Sequence, residues 1–193
     1  ASDGLELHIR RMPGGRFSGH VFEQLKVKDV LRLEGPLGTF FLREDSGKPV
    51  ILLASGTGFA PIKAIIEHMK RKEITLPVTL YWGCRSKSDL YLDDWAAKAA
   101  QELPNLRYVP VLSEPRAEDA WTGRTGLVHQ AVMTDFQDLS AHQVYACGAP
   151  IMIDSARVGF SEVCGLPPEE FYADSFVANH THTAETAPSP VSV

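Results

Sequence analysis

Apolar residues along this chain change their period several times, and each change marks an element. From Val50 to Ala54 they run without interruption. A run this short, β-branched at its start and bounded by turn residues, predicts a strand buried on both faces. Ser55-Gly56-Thr57-Gly58 breaks the run. Beyond it the spacing is helical, with Ile62, Ile65, Ile66 and Met69 on one face. Further strands are predicted at Val78–Trp82, Leu106–Leu112, Gln143–Cys147 and Phe171–Phe176. Helices are predicted at Asp94–Glu102, Gly126–Met133 and Pro150–Val163, the last with proline in its first turn. Pro110 has no N–H to give a ladder, which sets the third strand at an edge or late position. Strands alternating with helices predict an α/β fold, a doubly wound parallel sheet with helices on both faces.

The first 45 or so residues have a different rhythm. Leu5, Leu7 and Ile9 alternate with Glu6, His8 and Arg10, the pattern of a half-buried strand. Pro13-Gly14-Gly15 predicts a turn. Ser18 is a candidate cap for a short helix reaching about Leu25, with Val21, Phe22 and Leu25 on one face. Val30–Glu34 and Thr39–Arg43 read as strands on either side of a Gly35-Pro36-Leu37-Gly38 turn. These strands are too few to close a barrel. The chain opens without a methionine on what reads as mid-sheet, so it is expected to be a fragment of a longer protein. Asp45-Ser46-Gly47-Lys48-Pro49 is a polar break. The expected division is therefore residues 1–46, β-rich; 47–177, α/β; and 178–193, a flexible tail poor in large apolar residues.

Composition narrows the function. The 193 residues are 44% hydrophobic and 22% charged, with a net charge of −5. The longest basic cluster, Lys70-Arg71-Lys72, sits at a predicted helix end, where cations suit the dipole. Nucleic acid is therefore not an expected partner. Cys84, Cys147 and Cys164 lie far apart with no C-x-x-C pair, and the histidines lack ligand spacing, His180 and His182 in the tail included. No metal or iron–sulfur cluster is expected on this chain. With no apolar run of membrane-spanning length and no signal peptide, no membrane is expected and the reading is cytoplasmic.

Candidate chemistry gathers where the strands end. Gly56-Thr57-Gly58 follows the first α/β strand, Gly83-Cys84-Arg85-Ser86 the second, Ser113-Glu114-Pro115-Arg116 the third and Cys147-Gly148-Ala149-Pro150 the fourth. Ligands of doubly wound sheets bind beyond these carboxyl ends. A strand–glycine turn–helix offers free N–H groups and a positive dipole end to an anion. Taken alone, Gly56-Thr57-Gly58 is as well explained as a tight turn. Ala60 and Pro61 exclude a G-x-G-x-x-G fingerprint, and no Gly-Lys-Ser/Thr makes a P-loop.

The ordered motifs G-T-G-F-A-P, Y-W-G-C-R with D-L-Y, C-G-A-P-I-M and F-Y-A-D-S-F resemble the ferredoxin–NADP⁺ reductase family. Within it the likeness is to bacterial oxygenase reductase components and CDP-6-deoxy-glucoseen reductases. P-G-G-R-F-S-G-H-V-F and G-P-L-G-T-F resemble the second half of that family's flavin-binding barrel, and the likeness covers roughly residues 5–177. It implies that residues 1–46 are the C-terminal part of an FAD-binding antiparallel β-barrel and that 47–177 bind NAD(P). Gly14, Gly15, Phe17 and Ser18 would meet the flavin pyrophosphate; an ordinary capped helix is the alternative. Gly35-Pro36-Leu37-Gly38 would border the adenine side, or be a plain hairpin turn. Gly56, Thr57, Gly58, Pro61, Arg85, Ser113, Glu114, Gly148 and Pro150 would hold the nicotinamide nucleotide.

The resemblance also implies that Cys147 lies beside the nicotinamide C4 and flavin N5, and that Phe176 lies over the flavin ring. The alternatives are a buried small hydrophobe and a core aromatic. Cys84 and Cys164 read as packing residues. Ser113-Glu114 stands where NADPH-using relatives carry Ser-Arg. A carboxylate repels a 2′-phosphate, so NADH is expected over NADPH, with Arg85 and Arg116 as possible offsets. The family's R-x-Y/F-S/T flavin motif and four-cysteine ferredoxin module do not occur here. The implied function is a flavoprotein reductase passing a hydride from NADH to FAD, then electrons to an iron–sulfur protein or other acceptor. The alternatives are a nucleotide-binding module without independent catalysis, or an electron-transfer subunit active only with its partner. Gly56→Val is expected to weaken nucleotide binding while leaving the fold largely intact.

Overall fold

A computed structural model describes residues 4–176. The expected tail at 178–193 and its histidines lie outside them. A six-stranded, wholly parallel sheet organises the described chain, with strands Val50–Ser55 (β1), Val78–Cys84 (β2), Leu106–Leu112 (β3), Arg124–Thr125 (β4), Gln143–Gly148 (β5) and Phe171–Ser175 (β6). Their spatial order is β4-β3-β2-β1-β5-β6. Helices Phe59–Lys72 (α2), Asp93–Glu102 (α3), Val128–Asp135 (α4) and Pro150–Glu162 (α5) cover the sheet. Arg16–Glu23 (α1) lies upstream. Among the described residues no helix is long and apolar enough to cross a membrane.

Each residue from Val50 to Ala54 is at most 1% exposed, because β1 lies mid-sheet with a helical layer on each side. Alternate residues feed opposite cores, as the period of two requires. Val50, Leu52 and Ala54 pack with Ile62 and Ile66 of α2 and Ala96 of α3. Ile51 and Leu53 pack with Val132 of α4 and Ile153, Ala156 and Phe160 of α5. The chain winds outward from β1 to β4, then returns through α4 to place β5 on the other side of β1. That reversal opens a crevice at the carboxyl ends of β1 and β5. Pro110 stands one residue before β3 meets the two-residue β4 at Val111 and Leu112, where it interrupts no outer ladder.

The upstream reading needs correction. Leu5–Arg10, Val30–Glu34 and Thr39–Arg43 form no strands. A strand exists through its ladder, and among residues 4–48 the backbone bonds are only local turns and helix bonds. Apolar alternation without a neighbour leaves its face in water: Val30 is 94% exposed and Leu5 80%. Ser18 is not a cap either. Gly15 holds that position, and Ser18 is buried in α1, its Oγ accepting from the Met12 N–H at 3.1 Å. The helix after β4 starts at Val128 rather than Gly126, which has a φ of 109°. Residues 39–46 dock on the sheet through buried Leu42 and through the Arg43 N–H, which donates to Tyr145 Oη at 2.8 Å.

Candidate nucleotide site

The crevice at the β1/β5 seam is a cleft of about 1170 Å³. Its construction starts from two loops in contact. Ser55, the last residue of β1, accepts through Oγ from the Ala149 N–H at 3.0 Å. The approach is so close that a Cβ on Gly148 would lie 2.1 Å from Ser55 Oγ. One on Gly58 would lie 2.1 Å from the Cys147 carbonyl oxygen. Gly56 is the opposite case. It has a φ of 51° and nothing within 4 Å of a would-be Cβ, and it lines the cleft. The turn is thus tight underneath and open above, which is the shape that lets a ligand approach the backbone. Trp82 Nε1 fixes it from below by donating to the Gly56 carbonyl at 3.0 Å. Phe59 stacks on that indole at 3.9 Å between centroids.

Three helix starts border the cleft: Gly56 and Thr57 ahead of α2, Leu127 to His129 at α4, and Ala149 to Ile151 at α5. None has a side-chain cap. Their dipoles point positive ends at one space, although the Phe59 N–H is taken by the Gly56 and Thr57 carbonyls, the Ala149 N–H by Ser55 Oγ, and Pro150 has no N–H to offer. Each such end favours an anion by about 0.3–1 kcal/mol when exposed. Arg10 and Arg85 add cationic side chains, Glu6 and Asp89 anionic ones. Burial pushes the Asp89 carboxyl up, but hydrogen bonds from Ser86, with Arg10 and Arg85 nearby, hold it below its ordinary range.

The expected site residues separate into groups. Gly56, Thr57, Arg85, Ser113, Pro150 and Phe176 line the cleft. Phe176 is tied there by its N–H, which donates to the Gly148 carbonyl at 2.9 Å. Gly58, Pro61, Cys147, Gly148 and Glu114 do not line the cleft. Glu114 is exposed, its N–H donating to the Arg85 carbonyl at 2.9 Å. Cys147 has no exposed surface, and burial, aided by Asp174, pushes its thiol up to about 12. It is a neutral S–H in the core beneath α2 and does not line the cleft. Gly14, Gly15, Phe17 and Ser18 lie apart at the start of α1, although Met12 just before them reaches the cleft.

Further contributors were not anticipated. Cys84, read as packing alone, also lines the cleft, with its Sγ donating to the Asp89 carbonyl at 3.4 Å. Leu127 and His129 enter through the α4 start, and Tyr91 through the loop before α3. Asp89-Leu90-Tyr91 was visible as a motif; the α4 start carries no distinctive sequence pattern.

The residues present fit a dinucleotide: an open glycine turn and three uncapped helix starts for a diphosphate, beside a cleft of sufficient volume. For a flavin the fit is partial. The Gly14-Gly15 turn leads into α1 without a side-chain cap, and Leu7, Ile9, Met12 and Phe176 offer apolar cleft surface.

Comparison with known proteins agrees with this geometry. Residues 52–158 match the oxidoreductase NAD-binding domain, and residues 1–42 the oxidoreductase FAD-binding domain. A CDP-6-deoxy-L-threo-D-glycero-4-hexulose-3-dehydrase reductase of Yersinia pestis is 46% identical over 90% of this chain and 51% of its own length. A terephthalate 1,2-dioxygenase reductase component of Comamonas sp. is 38% identical over 93% and 53% respectively. The crystal structure of an Amycolatopsis cytochrome P450 reductase superposes with a TM-score of 0.80 at 33% identity, over 88% of this chain and 51% of that one. The chain spans about half the length of the curated relatives it matches. With a match to the NAD-binding domain over residues 52–158 and to the FAD-binding domain over 1–42, the chain belongs to the ferredoxin–NADP⁺ reductase family of oxidoreductases.

Proposed function

We propose that this chain is the nucleotide-binding half of an NADH-dependent flavoprotein reductase that delivers electrons to an iron–sulfur protein. The observation that carries the reading is the β1/β5 cleft, onto which three uncapped helix starts converge. Gly56 and Thr57, with the positive dipole end of α5, receive the diphosphate of the nucleotide, and Arg85 and Ser113 its adenosine end. Buried Cys147 under the seam and Phe176 at its mouth orient the nicotinamide. The neutral thiol suits that task, because it places no nucleophilic thiolate beside the nicotinamide ring. Bound flavin supplies the two-electron acceptor that releases electrons singly. No general base is needed. Residues 1–46 form the flavin-side unit and 47–177 the nucleotide domain. The free, buried cysteines favour the reducing cytoplasm.

NADH is the preferred donor because Glu114 adjoins Ser113 at the adenosine end, where a carboxylate disfavours a 2′-phosphate. Steady-state reduction of an artificial acceptor, with flavin added, tests both parts. NADH should turn over faster than NADPH. Glu114→Arg should move the ratio at least about tenfold towards NADPH, equivalent to ~1.4 kcal/mol. A wild-type ratio at or below one, or a ratio unmoved by the substitution, refutes the assignment of NADH.

A further inference from the structure

One wall of the cleft is made by the segment Glu6–Arg10, which belongs to no ladder. Side chains hold it instead. Lys63 lies in the first half of α2, with its side chain only 9% exposed. Its ammonium donates to Glu67 at 2.7 Å, one turn away, and to Glu6 at 2.9 Å, and sits 5.1 Å from the Trp95 ring centroid. The other Glu6 oxygen meets His8 Nε2 at 2.7 Å. The His8 side chain is 5% exposed, and its Nδ1 meets the Tyr91 hydroxyl at 2.5 Å. Tyr91 is edge-on to Trp82, the residue whose indole fixes the Gly56 carbonyl. The line Lys63–Glu6–His8–Tyr91 thus runs from α2 across the segment to the support of the glycine turn.

The direction of the bonds follows from chemistry. Lys63, and after it His8, holds the Glu6 carboxyl below its ordinary range, so Glu6 is an ionised acceptor. His8 Nε2 must then carry a proton. In the neutral ring Nδ1 is left as an acceptor, and the Tyr91 O–H donates to it. One tautomer is selected and every member of the line is satisfied.

We propose that His8 and Tyr91 are positioning residues for the nicotinamide nucleotide: their hydrogen bond, oriented by Glu6 and Lys63, latches segment 6–10 as a wall of the cleft and sets its width. The proposal rests on the reading of the cleft as a nucleotide site. Tyr91→Phe keeps the ring packed on Trp82 and removes only the bond. His8→Leu removes it from the other side, while His8→Asn can restore an acceptor near Nδ1.

The test uses the full chain, with NADH affinity read from quenching of tryptophan fluorescence and the His8 tautomer from long-range proton–nitrogen NMR. The wild type should show the Nε2–H tautomer. Tyr91→Phe and His8→Leu should each weaken NADH binding about three- to tenfold, and the double variant should be no worse than the weaker single, the signature of a shared interaction. His8→Asn should recover part of the loss. A latch that served stability alone would lower the melting temperature and leave NADH affinity unchanged. Wild-type affinity in Tyr91→Phe, or fully additive losses, overturns the latch while leaving the nucleotide site intact. A wild-type chain that does not bind NADH overturns both.

Discussion

Two glycines in one turn should respond to the same substitution in opposite ways. At Gly58 a methyl group would sit 2.1 Å from the Cys147 carbonyl oxygen, 2.5 Å from its carbon and 2.7 Å from Gly148 Cα, all backbone atoms at the end of β5. No side chain can swing away, so the β1 and β5 loops must part. Overpacking costs about 1–3 kcal/mol, and a backbone collision at a rigid seam belongs near the top, about 3 kcal/mol. For a chain of this size that is a fall in melting temperature of roughly 6–12 °C. At Gly56 the same methyl meets nothing within 4 Å, and the only cost is the φ of 51°, about 1 kcal/mol or roughly 2–4 °C. That methyl projects where the ligand should lie, so Gly56→Ala should lose NADH affinity by about tenfold, ~1.4 kcal/mol. Valine, the larger change, adds β-branched strain at a positive φ and is the less clean variant. Calorimetry on both alanine variants, with fluorescence titration of NADH, decides the matter. A Gly58→Ala chain as stable as Gly56→Ala, or a Gly56→Ala chain with wild-type affinity, would refute the account of the seam.

Two further outcomes follow from burial and pairing. The three cysteines are free and buried, and burial pushes the Cys84 and Cys147 thiols up to about 12. At pH 8 a disulfide reagent should therefore label the native chain far more slowly than the urea-unfolded one, and rapid native labelling of Cys147 would contradict its burial in the core. Burial pushes the Asp135 carboxyl up, but bonds from Tyr81 and Arg124 overcome this and hold it below its ordinary 3.8. A depressed folded-state value gives stability that is full above about pH 4 and lost as pH falls through the lower value. Asp135→Asn should flatten the acid limb of a pH–stability curve below pH 4; an unchanged limb would show that this carboxylate contributes nothing to it.

What the sequence disclosed depended on whether a pattern carried its own partners. Val50 to Ala54 is apolar at every position, and only a strand covered on both faces accounts for that. β1 and the helix after it were therefore legible, and the sheet order brought the predicted strand ends together. The alternation at Leu5–Arg10 is just as regular, but it records a face to be covered and not what covers it, so the strands expected there are not formed. Ser18 matched the chemistry of a helix cap, yet its hydroxyl turns back to Met12 and leaves Gly15 at the helix start. The two residues of β4 are too few to have a period. Tyr91 and the α4 start reach the cleft through tertiary placement, which no local spacing encodes.

The strand order also dictates when the site can come into being. During synthesis β1 and β2 emerge close together and can pair early, joined by a single helix. The opposite edge of β1 waits for β5, since Val50 pairs with Gln143 only after two more strands and two more helices have been made. Closing so long a loop is slow and entropically unfavourable. The Ser55–Ala149 bond and the Gly58–Cys147 contact both bridge that last seam. The cleft is therefore a late product of folding: a chain with its first three strands assembled has the glycine turn but not the opposite lip. On the proposed reading, nucleotide stabilises this domain only once β5 has docked, which would make NADH binding a reporter of that docking and no help in reaching it.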